Sequence, residues 1–292
     1  MSKPVLRAPV QYFGGKSKLV KTLLPLIPYA EGYIEPFGGA GSVLLNREKS
    51  KFEVYNDKFE HLVNLFRVLR GPNKCAALKR LCELTLYARS EKYYAWNMLC
   101  KGTYRDDVER AWAFYITMNM GFGGKFEGSW GSGVSDNGYM PRKYASRLPL
   151  FKIYLDRLRE TQIECKDGAQ IVKLYDNPNH VFYCDPPYIA ASRKGKGDYE
   201  NEMSDAQHET FLQACLAAKG AVIISGYPSE LYQDLLSGWE ARQISVVCHA
   251  VGKTQASNLK GEGIIKENFK RTEVIWRNAR AVELCNKKRD LF

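Results

Sequence analysis

The sequence predicts an α/β protein: a three-layer core built on a mostly parallel sheet, interrupted by an inserted and mainly helical unit. Three observations carry that expectation. Short apolar runs alternate with helical patterns up to about residue 70, and the same alternation returns from about residue 165. Between them, residues 71–164 hold long helical patterns and a glycine-rich loop. The chain has 292 residues, 45% of them hydrophobic and 26% charged, enough to close a large core without disulfide or metal support. Residues 1–70 and 165–292 are therefore expected to form one discontinuous domain, with 71–164 inserted into it.

The elements follow in chain order. Gly32 to Phe37 reads as a buried strand running into a glycine loop, and Ser42 to about Lys49 as a helix opening behind the glycines. Phe52 to Tyr55 is a second short strand. Phe59, Leu62, Val63, Leu65, Phe66 and Leu69 recur at helical spacing until Gly71-Pro72 stops them. In the inserted zone, Cys75 to Leu86 and Val108 to Met120 read as helices. The stretch from Gly121 to Gly138, rich in Gly and Ser and carrying Phe122, Phe126 and Trp130, reads as a functional loop. Beyond it, His180 to Cys184 and Ala221 to Ser225 are buried strands, with a helix from Asp205 to Ala218 between them. Ile244 to Cys248 and Glu273 to Trp276 close the series as two final strands, joined by a long basic connection.

A formal net charge of +11 points to a polyanionic partner, nucleic acid first among them. The inserted zone adds to it, with fifteen Lys and Arg against ten Asp and Glu. Eight cysteines without a C-x-x-C pair and four scattered histidines show no metal-ligand spacing, so no metal is expected. No run of 18 apolar residues occurs, and the N-terminal segment lacks the apolar stretch of a signal peptide. The expectation is a soluble cytoplasmic protein, monomeric, with free thiols and no membrane partner.

Glu35-Pro36-Phe37-Gly38-Gly39-Ala40-Gly41-Ser42 stands where a ligand can approach the backbone at the carboxyl end of a parallel strand. Its spacing fits neither a dinucleotide fingerprint nor a phosphate loop. Glu35 would repel a phosphate and welcome an ammonium, such as the one on the methionine part of S-adenosylmethionine. Asp57, at the end of the next strand, suits the two hydroxyls of a ribose, or else caps the helix that follows. Gln11-Tyr12-Phe13-Gly14-Gly15-Lys16 groups aromatic, glycine and cation, and reads as a ligand contact or an ordinary turn.

Asp185-Pro186-Pro187-Tyr188 follows an apolar strand directly. The two prolines fix the backbone and remove two amide donors. Asp185 and the Pro186 carbonyl can then accept both hydrogens of an adenine amino group and aim its lone pair at a methyl donor, while Tyr188 offers a ring to a base that has left the duplex. A proline turn ending a strand, capped by the Asp, is the structural alternative.

Taken together, these segments resemble the Dam-type (D12 class, alpha group) DNA adenine N6-methyltransferases over most of the chain. Tyr12 to Lys16 is similar to that family's N-terminal motif, Tyr33 to Ser42 to its cofactor loop, Tyr55-Asn56-Asp57 to its ribose-binding acid, and Asp185 to Tyr188 to its catalytic motif. The resemblance implies a Rossmann-like, S-adenosylmethionine-dependent methyltransferase core with an inserted helical DNA-recognition domain, acting on double-stranded DNA. It implies that Tyr12, Lys16, Glu35, Pro36, Phe37, Gly38, Gly39, Gly41, Ser42, Asp57, Asp167 and Asp185 hold the cofactor, and that Asp185, Pro186, Pro187 and Tyr188 carry the chemistry. Thr117 to Lys125 is similar to the family's Asn-Arg-x-Gly-Phe-x-Gly stretch, but Met120 stands where Arg is usual, and the Phe-Asn-Val-Pro element is absent. Asn119, Lys125, Arg142 and Lys143 are candidate DNA contacts, and Arg193, Lys194 and Lys196 a basic clamp behind the catalytic motif. Methylation of cytosine N4 or of a protein glutamine is the alternative chemistry, and a non-catalytic DNA-binding relative of the fold the alternative class. Asp185 favours adenine over both amino-group alternatives, whose enzymes place Ser or Asn there.

Overall fold

In the computed structural model, residues 4–132, 139–189, 202–247 and 270–289 are described. Among them seven strands make one sheet: β1 (Gly32–Glu35), β2 (Phe52–Asn56), β3 (Gln162–Glu164), β4 (His180–Cys184), β5 (Ala221–Gly226), β6 (Glu240–Val247) and β7 (Lys270–Arg277). Their order is β3-β2-β1-β4-β5-β7-β6. The first five are parallel, and β7 runs antiparallel to both β5 and β6. β1 and β5 are buried at every position, as central parallel strands covered on both faces require.

Two consequences of this order place the site. The chain moves from β1 to one side of the sheet and later returns on the other side with β4, so a crevice opens beyond the carboxyl ends of these two strands. Because β7 is reversed, its early residues lie beside the late residues of β5: Val274 pairs with Gly226. Glu273 is thereby brought to the same end of the sheet as Asp185.

The helices are α1 (Val20–Leu23), α2 (Glu60–Arg70), α3 (Pro72–Leu84), α4 (Arg89–Lys101), α5 (Asp107–Met120), α6 (Met140–Ala145), α7 (Phe151–Leu158), α8 (Gly168–Leu174), α9 (Asp205–Ala217), α10 (Glu230–Leu235) and α11 (Ala279–Arg289). On one face of the sheet, Ile34, Val54 and Phe182 pack against Ile171, Phe211 and Leu212 of α8 and α9. On the other, Tyr33, Tyr55 and Val181 join Leu62 and Phe66 of α2, and the same cluster runs on through Leu99, Phe114 and Tyr154. The three layers expected from the sequence are present, and the inserted helices share a core with the sheet they interrupt.

Several expectations are corrected. Ser42 to Lys49 forms no helix: the segment is a run of turns with mixed bonds, Leu45 N to Gly41 O, Asn46 N to Val43 O and Arg47 N to Val43 O. Asn46 accounts for the irregularity, because its amide bonds both Ser42 O and Leu6 O and takes the Leu6 N–H. Gly71-Pro72 ends α2 but also opens α3, where proline at the first helical position loses no bond. α4, α6 and α7 were not read from the sequence. β3, at 162–164, lies inside the stretch assigned to the insertion, so the sheet resumes three residues earlier than expected. A buried ion triad fastens that junction: Glu53 of β2 pairs with Arg47 and, through both its oxygens, with Arg157 of α7.

Candidate active site

A cleft of about 1060 Å³ opens at the carboxyl ends of β1 and β4. Tyr12, Lys16, Glu35, Pro36, Phe37, Gly38, Gly39, Ser42, Asp57, Asp167, Asp185, Pro186 and Pro187 all line it. The structure thus brings together five separate segments of the sequence. Gly41 does not line the cleft. Its φ of +70° and the Phe66 ring 2.9 Å from where a Cβ would stand show a backbone turn packed on α2.

Glu35 is 2% exposed, accepts the Tyr33 hydroxyl at 2.5 Å and takes the backbone N–H of Leu44. Burial pushes its carboxyl up to about 8, against the opposing pull of these donors and of Arg47 and Arg157. Asp57 is also raised by burial, while the N–H groups of Phe59 and Gly39 bond it at 2.8 and 2.9 Å. It does not occupy the cap position of α2, which falls to Phe59. Asp167 caps α8 through Ala169 N, and the Phe37 ring lies over Gly168, leaving no room there for a Cβ.

The N-terminal motif is held from two sides. Phe13 N donates to Gly124 O at 2.9 Å, and Gly124, with φ +69°, sits so close that a Cβ would come within 2.8 Å of Tyr12 N. The glycine-rich loop is therefore clasped to the side of the cleft formed by Tyr12 and Phe13. Asn119 corrects an expectation: it is 1% exposed, donates to Pro9 O at 3.1 Å and accepts from Gln11 N at 3.4 Å. Its amide positions the segment leading to Tyr12 and is not presented to a DNA surface.

At the other end of the motif, Lys16 crosses the cleft. Its ammonium lies 2.7 Å from Asp185 Oδ1, 2.6 Å from the Tyr188 hydroxyl and 3.2 Å from Glu273 Oε1. Ser225 Oγ donates to the same Asp185 oxygen at 2.9 Å. All these bonds fall on Oδ1; Oδ2 has no hydrogen-bond partner among the described residues. Burial raises the Asp185 carboxyl, Lys16 lowers it and Glu273 raises it. Tyr188 is 7% exposed, its hydroxyl donates to Glu273 at 2.9 Å, and its ring packs on Tyr227 with centroids 4.3 Å apart. It does not line the cleft, so the ring expected to receive a base stands behind the cleft wall in this state.

Lys125 places its ammonium 4.9 Å from the Phe13 ring centre, next to the cleft. Arg142 and Lys143 are exposed on α6. Arg193, Lys194 and Lys196 lie outside the described residues. Sequence reasoning missed Glu202, Met203 and Gln207, which line the cleft ahead of and within α9, as well as Ser225 and Glu273. Nothing local in the sequence marks Glu273 out, since β7 also carries Lys270, Arg271, Thr272 and Arg277.

The profile of the D12 class N6 adenine-specific DNA methyltransferases matches residues 12–249. The chain belongs to that family. Among curated relatives, a DNA adenine methylase from Serratia marcescens is 24% identical over 283 residues, covering 89% of this chain and 96% of its own length. A DNA adenine methylase from Salmonella typhi is 26% identical over 188 residues, 64% of this chain. A DNA N-6-adenine-methyltransferase of Escherichia phage P1 is 25% identical over 245 residues, 78% of this chain and 31% of that protein. The match spans 66% of the length of the Salmonella relative. Among the described residues no helix is long and apolar enough to cross a membrane, and no group of His, Cys, Asp and Glu is placed to hold a metal ion.

Proposed function

We propose that this protein methylates N6 of an adenine turned out of duplex DNA, with S-adenosylmethionine as methyl donor. The observation that carries the reading is Asp185, which lines the cleft with Oδ1 anchored by Lys16 and Ser225 and with no partner for Oδ2 among the described residues. An adenine amino group has two N–H bonds to place. Oδ2 accepts one and the Pro186 carbonyl the other, which directs the nitrogen lone pair away from both acceptors.

The residues on the far side of the cleft fit the donor. Glu35 suits its ammonium, Asp57 its ribose hydroxyls and Asp167 its adenine, and all three line the cleft. S-adenosylmethionine brings an electrophilic methyl: the amino lone pair forms the C–N bond while the C–S bond breaks and its electron pair stays on sulfur. The protein's part is to orient the amino group, exclude water and hold a fixed electrostatic frame. DNA is held by the basic surface around Lys125, Arg142 and Lys143, with Arg193, Lys194 and Lys196 as the clamp.

Expression in a host without DNA methylation, followed by digestion of its DNA to nucleosides, tests this reading. N6-methyladenine is the expected product, and sequencing of the methylated sites then gives the target. N4-methylcytosine alone, or unmodified DNA, would contradict it.

A further inference from the structure

We propose that Glu273 is a positioning residue for the methyl transfer: from β7 it holds Lys16 and Tyr188 in place and gives the cluster around the target amino group a surplus negative charge. This rests on the function proposed above, and Glu273 lies beyond residues 12–249, the part matched by the family profile.

The geometry is a closed ring. Lys16 donates to the Tyr188 hydroxyl, that hydroxyl donates to Glu273 Oε1, and Lys16 pairs with the same Oε1 at 3.2 Å. The ammonium also donates to Asp185 Oδ1 at 2.7 Å and to Gly14 O at 3.5 Å. Lys16 is thus held from several sides, and the Asp185 carboxylate is anchored through Oδ1. Glu273 itself is 3% exposed. A buried carboxylate is costly, and one that only filled space would be replaced at a gain by a neutral side chain.

The charge count supplies the reason to keep it. Among the described residues one ammonium stands among two carboxyl groups, so with both ionised the cluster carries one negative charge in excess. Methylation leaves the amino nitrogen positive until one of its two original hydrogens departs to water as a proton. A surplus negative charge fixed at that place favours the transition state over the neutral amino group that precedes it. Among the described residues, the groups that act on Asp185 are Lys16 from the N-terminal segment, Glu273 from β7, Tyr183 and Cys184 from β4, Ser225 from β5, Tyr188 from its own loop and Tyr232 from α10. Of these, Glu273 raises the Asp185 carboxyl and Lys16 lowers it.

Glu273→Gln keeps an acceptor for Lys16 and Tyr188 but removes the charge. In the full-length protein it is expected to lower the single-turnover methylation rate about tenfold or more, with cofactor and DNA dissociation constants little changed and no fall in melting temperature. In the cofactor-free protein, the carboxyl carbon of Asp185, followed by ¹³C NMR, should titrate at lower pH than in wild type. Glu273→Asp, which restores the charge, should bring back the Asp185 midpoint and part of the rate. A Gln variant with wild-type rate, or one whose rate and melting temperature fall together while the Asp185 midpoint stays put, would overturn the proposal. If the wild-type protein transfers no methyl group, the proposed function falls, and the Asp185 titration still reports on Glu273 alone.

Discussion

Lys16 and Asp185 are 169 residues apart in the chain and meet at 2.7 Å across the cleft. The pair joins the N-terminal motif to the end of β4 across the cleft. Removing the cation leaves Asp185 and Glu273 facing each other in a buried setting. Lys16→Met is expected to cost about 3–5 kcal/mol of unfolding free energy, the usual effect of stripping one partner from a buried charge cluster. Urea unfolding measures it, and a loss under about 1 kcal/mol would mean that the cluster is solvated.

With Glu35 as the proposed acceptor of the cofactor's ammonium, cofactor binding should depend on pH. The Glu35 carboxyl is pushed up to about 8 by burial, so at pH 7 most molecules carry it protonated. An ammonium binds the ionised form, and binding therefore releases a proton. The apparent dissociation constant of S-adenosylmethionine should rise about tenfold for each pH unit below 8 and level off above it. Glu35→Gln should bind weakly with no such slope. Calorimetric titrations from pH 6 to 9 decide this; a flat wild-type curve would remove Glu35 from the ammonium site.

The clasp between the insertion and the cofactor motif is tested at Gly124. A Cβ there meets Tyr12 N at 2.8 Å, and φ of +69° disfavours any side chain. Gly124→Ala should lose about 1–2 kcal/mol of stability from the backbone conformation alone. Displacing Tyr12 should also weaken cofactor binding. An Ala variant with wild-type cofactor affinity would show that the loop and the motif are independent.

Arg142 and Lys143 are exposed on α6, as phosphate contacts must be. If both touch phosphates, replacing them with Gln lowers the slope of log affinity against log salt by about 1.8, close to 0.9 for each contact. The loss should be similar for specific and non-specific duplexes. An unchanged slope would assign them to solvated surface.

What the sequence disclosed follows the range of the forces involved. β1, β4 and β5 were legible because central parallel strands must be apolar nearly throughout, and that composition is local. Ser42 to Lys49 misled because its helical pattern is overridden by Asn46, whose amide reaches back to Leu6, 40 residues away. α4 was hidden because Tyr93, Tyr94 and Trp96 spread aromatic residues around the helix and blur its periodicity.

The residues singled out on glycines and acids at strand ends, all but Gly41, do line one cleft, since such residues carry their own local reason. Asn119 was misplaced because a polar residue next to a glycine-rich loop looks exposed until the N-terminal segment is folded over it. Ser225 and Glu273 were out of reach for a related cause. Their meaning lies in the convergence of β5 and β7 on Asp185, and only the antiparallel placement of β7 reveals that.

The central claim is that Asp185 Oδ2 accepts a hydrogen of the adenine amino group during transfer. Labelled methyl transfer from S-adenosylmethionine to duplex DNA, by purified wild-type protein and by Asp185→Ala under single-turnover conditions, tests it most directly. Wild type should incorporate label recovered as N6-methyladenine, and the Ala variant should be slower by a factor of about 10²–10³ while still binding the cofactor. Comparable rates for the two proteins, or label recovered on any other base, would contradict the account.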